Sequence, residues 1–198
     1  MNSRAQILSR IKENQPELSS LPADLTAPLQ YPDPVEVFST VLSNIGGTTV
    51  PVKSYEEIQQ YIKTQFADQK RIISTIPELS AVTEAGWEGQ DPHSYEDIDI
   101  AVIRAHFGVA ENAALWVTEE LMQQRVIPFI CQQLAVVVQR KDICSNMHEA
   151  YAKVADAVYG FGTFIAGPSK TADIEQSLVL GAHGPKNMTV FILEMAKD

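Results

Sequence analysis

The stretch DPVEVFSTVLSNIGGTTVPVKSYEEIQQYIKTQFADQKRIIS, residues 33–74, decides the fold class. Asp33-Pro34 sets a capping carboxylate before a proline at the first helical position, where a missing N–H does no harm. Pro34, Phe38, Val41, Leu42 and Ile45 then recur at the spacing of one helix face, and Gly46-Gly47 ends the helix. Thr48-Thr49-Val50 is β-branched and reads as a strand. Ser54-Tyr55-Glu56-Glu57 has the spacing of a capping box, and it opens a second helix with Ile58, Tyr61, Ile62 and Phe66 on the buried face. Arg71 to Ser74, with Ile72 and Ile73 inside, is a second strand. Helix, strand, helix, strand is the rhythm of an α/β layer with a parallel core.

Toward the N-terminus, Ser3-Arg4-Ala5-Gln6 also has capping-box spacing, and Ile7, Leu8 and Ile11 form a short apolar stripe. The spacing predicts a helix over residues 3–13. Five of the eleven prolines follow (Pro16, Pro22, Pro28, Pro32, Pro34), a density that blocks both helix and central strand. The chain therefore divides into a helix on a Pro-rich linker, residues 1–33, and one α/β domain, residues 34–198.

Toward the C-terminus, residues 72–103 hold seven acids and no Lys or Arg and read as a long, solvated or partner-facing loop. Ile98, Ile100 and Val102 alternate with polar or small residues, as a half-exposed strand does. Ala114 to Val117, Val126 to Ile130 and Leu134 to Val138 are further apolar runs. Their short connections predict largely antiparallel pairing. Ser145 is placed to cap a helix with Met147, Ala150, Tyr151, Val154, Ala155 and Val158 inward, stopped by Gly160. Phe164 to Ala166 and Val190 to Leu193 complete a mixed sheet flanked by helices.

The 198 residues carry 15 Lys+Arg against 25 Asp+Glu, a net charge of −10. No basic face is available to neutralise phosphates, which argues against nucleic-acid binding, and no short Lys/Arg cluster favours an anionic membrane. No apolar run approaches the length of a membrane span, and the N-terminus is amphipathic rather than signal-like. Cys131 and Cys144 lack CxxC spacing and read as reduced, partly buried thiols. These features describe a soluble, acidic, cytoplasmic domain.

Three places could carry chemistry. Gly167-Pro168-Ser169-Lys170-Thr171-Ala172-Asp173-Ile174-Glu175 follows a strand and is expected to open a helical turn capped by Ser169 or Thr171. Its free N–H groups, hydroxyls and ammonium would then cradle an anion. Gly181-Ala182-His183-Gly184-Pro185 is a tight loop with a group that titrates near neutrality. Glu111 lies in a polar break between two apolar strands, where it is either part of a hairpin turn or a base or nucleophile facing a cleft. His93, His106 and His148 are scattered without metal-ligand spacing, and no cofactor motif occurs.

The run GPSKTADIEQSLVLGAHGPKNMTVFIL, residues 167–193, closely resembles the signature of the LUD-domain family, specifically its lactate utilisation protein C (LutC/YkgG-like) group. The resemblance extends to RAHFGVAENAALWV, residues 104–117, and to the strand ending AVVVQRKDI. It implies a fold similar to the NagB/RpiA/CoA-transferase-like superfamily. It also implies an accessory role in cytoplasmic oxidation of L-lactate to pyruvate, beside LutA- and LutB-like iron–sulfur proteins. In that role Ser169, Lys170 and Thr171 would hold a small anion, with Gly167, Gly181 and Gly184 shaping the loops. Asp173, Glu175 and His183 would order them. The alternative is a stand-alone isomerase or transferase on the same scaffold, with Glu111 as base or nucleophile and His183 assisting. The chain departs from the family pattern at Ala113 and Arg104, where the family carries Gly.

Overall fold

The computed structural model describes residues 2–19, 29–155, 157–172 and 178–194. Its elements in chain order are α1 (Ser3–Glu13), α2 (Pro34–Asn44), β1 (Thr48–Val52), α3 (Tyr55–Gln65), β2 (Ile72–Ser74), β3 (Ile100–Arg104), β4 (Phe107–Val109), β5 (Ala114–Thr118), α4 (Glu119–Met122), α5 (Ile127–Ile130), β6 (Gln133–Gln139), β7 (Ile143–Cys144), α6 (Met147–Val154), β8 (Gly162–Ile165), β9 (Lys170–Ala172), β10 (Leu178–Leu180) and β11 (Asn187–Leu193).

A five-stranded sheet in the order β1-β11-β6-β3-β2 forms the centre, and every neighbouring pair in it is parallel. Parallel strands are covered on both faces, and here alternate residues go to opposite cores. Ala101, Ile103, Leu134, Val136, Val190 and Ile192 face one cluster, with Phe38 and Leu42 of α2 and Leu115 and Val117 of β5. Ile100, Val102, Ala135, Val137, Phe191 and Leu193 face the other, under Ile58, Ile62 and the adjoining Phe66 of α3. Fully burying one such side chain contributes about 1.5–3 kcal/mol.

A second sheet, β7-β4-β5-β8, lies outside α2 and mixes antiparallel β4–β5 and β5–β8 pairs with a parallel β4–β7 pair. Its outer face, with Phe107, Val109, Ala114 and Trp116, packs under Ala150 of α6. β9 and β10 form a separate antiparallel hairpin.

The 33–74 reading matches the observed order of elements. Asp33 caps α2, its Oδ1 accepting the Val35 and Glu36 N–H groups at 3.0 and 3.3 Å. Several other expectations are corrected. Of the strands expected to pair antiparallel, β5 does so with β4 and β8, whereas β3 and β6 pair in parallel, because a hairpin and two short helices fill the connection between them. The β3 strand is buried on both faces, not half exposed. Val126 to Ile130 yields helix α5, not a strand; Pro128 withholds an N–H from any ladder but fits the first helical turn. The N-cap of α1 is Asn2, not Ser3, and that of α6 is Asn146, not Ser145. At α3 the Ser54 side chain makes no capping bond, while Glu57 accepts the Lys53 N–H at 2.9 Å. Tyr151 and Val158 point outward, and Ala150 is the fully buried side chain of α6.

The acidic segment between β2 and β3 exposes six of its seven acids, as a solvated face does, but it is anchored by buried apolar side chains and ion pairs. Leu79, Trp87, Tyr95 and Ile98 are buried from it, and the Tyr95 hydroxyl donates to the Trp87 carbonyl at 2.9 Å. Arg71 stitches its ends, pairing with Glu84 at 2.9 Å and with Asp97, and donating to the Ser94 carbonyl at 2.6 Å. Asp99 accepts the Lys70 and Arg71 N–H groups at 2.7 and 2.9 Å. Cys131 and Cys144 are free and buried.

Candidate functional site

The glycine-rich signature packs at the amino ends of the parallel strands. Gly167 ends the β8 segment with φ +69°, and a Cβ there would lie 2.9 Å from Ile45 Cδ1 at the end of α2. Both conformation and space therefore require glycine. Pro168 is buried behind it. The Ser169 N–H donates to the Pro185 carbonyl at 2.9 Å, and the Gly181 N–H donates to the Ser169 carbonyl at 3.1 Å. Gly184 lies against Ser169, where a Cβ would meet the serine Cβ at 3.1 Å. The Lys186 N–H donates to Gln132 at 2.8 Å, tying the loop to the amino end of β6.

Backbone bonds thus join Ser169 to Gly181 and Pro185, Gly184 packs against Ser169, and Gly167 packs against the end of α2. It overturns the expected helical turn: Lys170 and Thr171 belong to β9, paired with Leu180 and Val179. The Ser169 N–H is engaged by Pro185, so the free donors of a helix N-terminus do not form the cradle. Lys170 and His183 project into solvent. Asp173 and Glu175 lie outside the described residues.

Glu111 sits elsewhere, in the β4–β5 turn. Its N–H donates to the Ser145 carbonyl at 3.1 Å and its Oε1 accepts the Met147 N–H at 2.8 Å. The side chain is exposed and caps α6 beside Asn146. Its hydrogen bonds run to the start of α6, whereas the 167–185 loops bond to one another and to Gln132. Ala113, one of the two positions where the resemblance led Gly to be expected, has φ +55° and is wholly buried. The turn therefore keeps the left-handed conformation that glycine adopts freely. Arg104, at the other departure, pairs with both oxygens of Glu78 at 2.7 Å and lies over the Tyr55 ring.

A cavity of about 500 Å³ opens where β4 and β5 meet the end of α6. Phe107, Trp116 and Tyr159 form aromatic walls, with His106, Thr118 and Glu120 among the polar groups. His106 Nε2 lies 2.8 Å from the Thr118 hydroxyl. Burial pushes the His106 pKa below the ordinary 6.5, and the nearby Glu120 charge opposes that shift. The neutral imidazole is thereby favoured near pH 7 and can donate or accept one proton. Glu119 is held by Arg125, with Nε 2.8 Å from Oε2. A second cavity of about 560 Å³ lies at the carboxyl ends of β6 and β11, where Arg140 is shared between Asp33 at 3.4 Å and Glu194 at 3.2 Å. Crevices at strand carboxyl ends are the usual ligand sites of open α/β sheets.

In the sequence His106 is one of several scattered histidines without metal-ligand spacing. The signal that could have found it is the β4–β5 pairing: Phe107 opposite Trp116 brings His106 and Thr118 to the same end of the hairpin.

These observations define an α/β protein with a covered parallel sheet, an outer mixed sheet and a glycine-rich hairpin signature. Residues 90–193 match the LUD domain, and the chain belongs to the LUD-domain family. Among similar proteins, "Lactate utilization protein C" of Oceanobacillus iheyensis is 25% identical over 105 residues, covering 50% of this chain and 45% of that protein. The protein of the same name from Anoxybacillus flavithermus is 23% identical over 159 residues, covering 80% and 69%. Against the first of these relatives the chain spans about half the length. A solved DUF162 family protein from Deinococcus radiodurans superposes with a TM-score of 0.64 at 16% identity, covering 84% of this chain and 99% of that one. This likeness establishes the shared fold.

Proposed function

We propose that this protein takes part in lactate utilisation, as an accessory component of cytoplasmic L-lactate oxidation to pyruvate beside LutA- and LutB-like iron–sulfur proteins. The observation that carries the reading is the LUD-domain match over residues 90–193, together with relatives named lactate utilization protein C. The exposed Lys170 and His183 on the 167–185 loops supply the charged and titratable groups that a small anion or a partner surface would meet. The backbone bonds among Ser169, Gly181 and Pro185 hold those loops in one arrangement.

Lactate oxidation is measured in cells with and without this protein, and again with the Lys170→Ala and His183→Ala variants. Loss of oxidation on deletion, restored by the wild-type chain and weakened by the loop variants, is the expected result. Unchanged oxidation on deletion would sink the reading.

A further inference from the structure

α1 is short, basic and uncovered. Ile7, Leu8 and Ile11 stand 59, 52 and 55% exposed, and no residue of the helix is buried. At 100° per residue these three side chains form one stripe, with Arg10 and Lys12 on its two flanks. An isolated helix of eleven residues is marginal in water, so this one needs a surface to cover its stripe. Charge indicates what kind. Arg4, Arg10 and Lys12 against Glu13 give residues 1–14 a charge of +2 and leave −12 for the rest of the chain.

The domain has a matching surface. Four rings run in sequence, Tyr151–Phe164 at 6.0 Å, Phe164–Trp116 at 4.7 Å and Trp116–Tyr159 at 5.3 Å. The two tyrosines at its ends are exposed, and so is Val158. Glu120, Lys153 and the Arg125-bound Glu119 line the adjoining cavity. The tether also fits. The chain is fixed at the start of α6, where the Leu29 carbonyl accepts from Asn146 at 2.9 Å and the Tyr31 N–H donates to Ser145 at 3.1 Å. The aromatic surface begins along α6 and continues past its end, about 12 Å away for a helix of eight residues. From Asn14 to Leu29 the chain can span up to about 50 Å, so a docked helix would bind at a high effective concentration.

We propose that α1 docks on its own domain, its Ile7-Leu8-Ile11 stripe against Tyr151, Val158 and Tyr159, with its basic flanks drawn to the net negative charge of the rest of the chain and Glu120 the carboxylate that they meet at the cavity rim. Hydrogen exchange of the full chain tests this. Amides of residues 6–13 are expected to exchange about tenfold or more slowly than in an undocked peptide. This protection is independent of protein concentration and falls on Ile7→Glu with Ile11→Glu. It also falls on Val158→Glu, a fully exposed position whose change leaves the core amides protected. Absence of protection overturns the proposal. Protection that rises with concentration assigns the contact to a second copy, and protection indifferent to Val158→Glu assigns it to another surface; either result also overturns it.

Discussion

The carboxylate of Glu111 accepts the backbone N–H of Met147 at 2.8 Å, so the β4–β5 turn caps the first turn of α6. A helix leaves its first N–H groups without internal partners, and a carboxylate there also meets the positive end of the helix dipole. Glu111→Ala is expected to destabilise the protein by about 1 kcal/mol. In a chain of this size that lowers Tm by about 2–4 °C. Glu111→Gln keeps an acceptor and loses less. Urea denaturation of both variants checks the order; equal loss in the two would rule out a capping role.

Gly167 couples the signature to α2 through Ile45. Gly167→Ala imposes an L side chain on φ +69° and drives its Cβ toward Ile45, so it is expected to cost about 1–3 kcal/mol. Ile45→Ala opens that space. In a double-mutant cycle, Gly167→Ala should therefore be less damaging in the Ile45→Ala background, by at least about 0.5 kcal/mol. Strict additivity would show that strain in the backbone, not the contact, dominates.

His106 makes stability pH-dependent in a defined direction. Its pKa is lower folded than unfolded, so below about pH 6.5 the unfolded chain takes up the proton first. The stability contributed by the neutral imidazole is complete above that value. It declines as pH falls toward the folded pKa and changes no further below it. Stability curves of His106→Gln and wild type should run parallel above pH 7.5 and converge on acidification. A constant offset throughout would contradict the shift.

Cys131 is inert while the protein is folded. Burial pushes its thiol pKa up to about 12, and burial raises that of Cys144 as well. The thiolate is the reactive form, so a colorimetric thiol reagent at pH 8 should leave Cys131 unmodified in the native state. Both cysteines should react in denaturant. Rapid native labelling of Cys131 would show that the interior opens far more often than a covered parallel sheet allows.

The sequence made much of the fold legible where one element carries its own signal. Asp33-Pro34, the Phe38–Leu42 spacing and Gly46-Gly47 bound α2 without help from the rest of the chain. Val126 to Ile130 lacked such a signal, since a five-residue apolar run fits strand or helix equally. Strand pairing was illegible for another reason: β3 and β6 are neighbours in the sheet, but a hairpin and two short helices separate them in the chain. Trp87 and Tyr95 were hidden because irregular backbone buries them without periodicity. The signature loops were visible as a motif, yet their β9 geometry depends on pairing with β10. The His106 cavity has walls from β4, β5 and the end of α6, so only the assembled fold displays it.

The strand order has a consequence for how this molecule is made. β11 lies between β1 and β6, so among the described residues the first strand in chain order borders the last and has no other partner in the sheet. A nascent chain can assemble β2, β3 and β6 as they emerge from the ribosome. Through all that time β1 waits with both edges unpaired. Closure comes only when Asn187–Leu193 is free to slide between them, which makes the final step a long-range and slow one. A chain interrupted between β6 and β11 would leave the facing edges of both β1 and β6 unpaired. Quality control would meet it as an aggregation-prone fragment rather than as a weakened version of the protein.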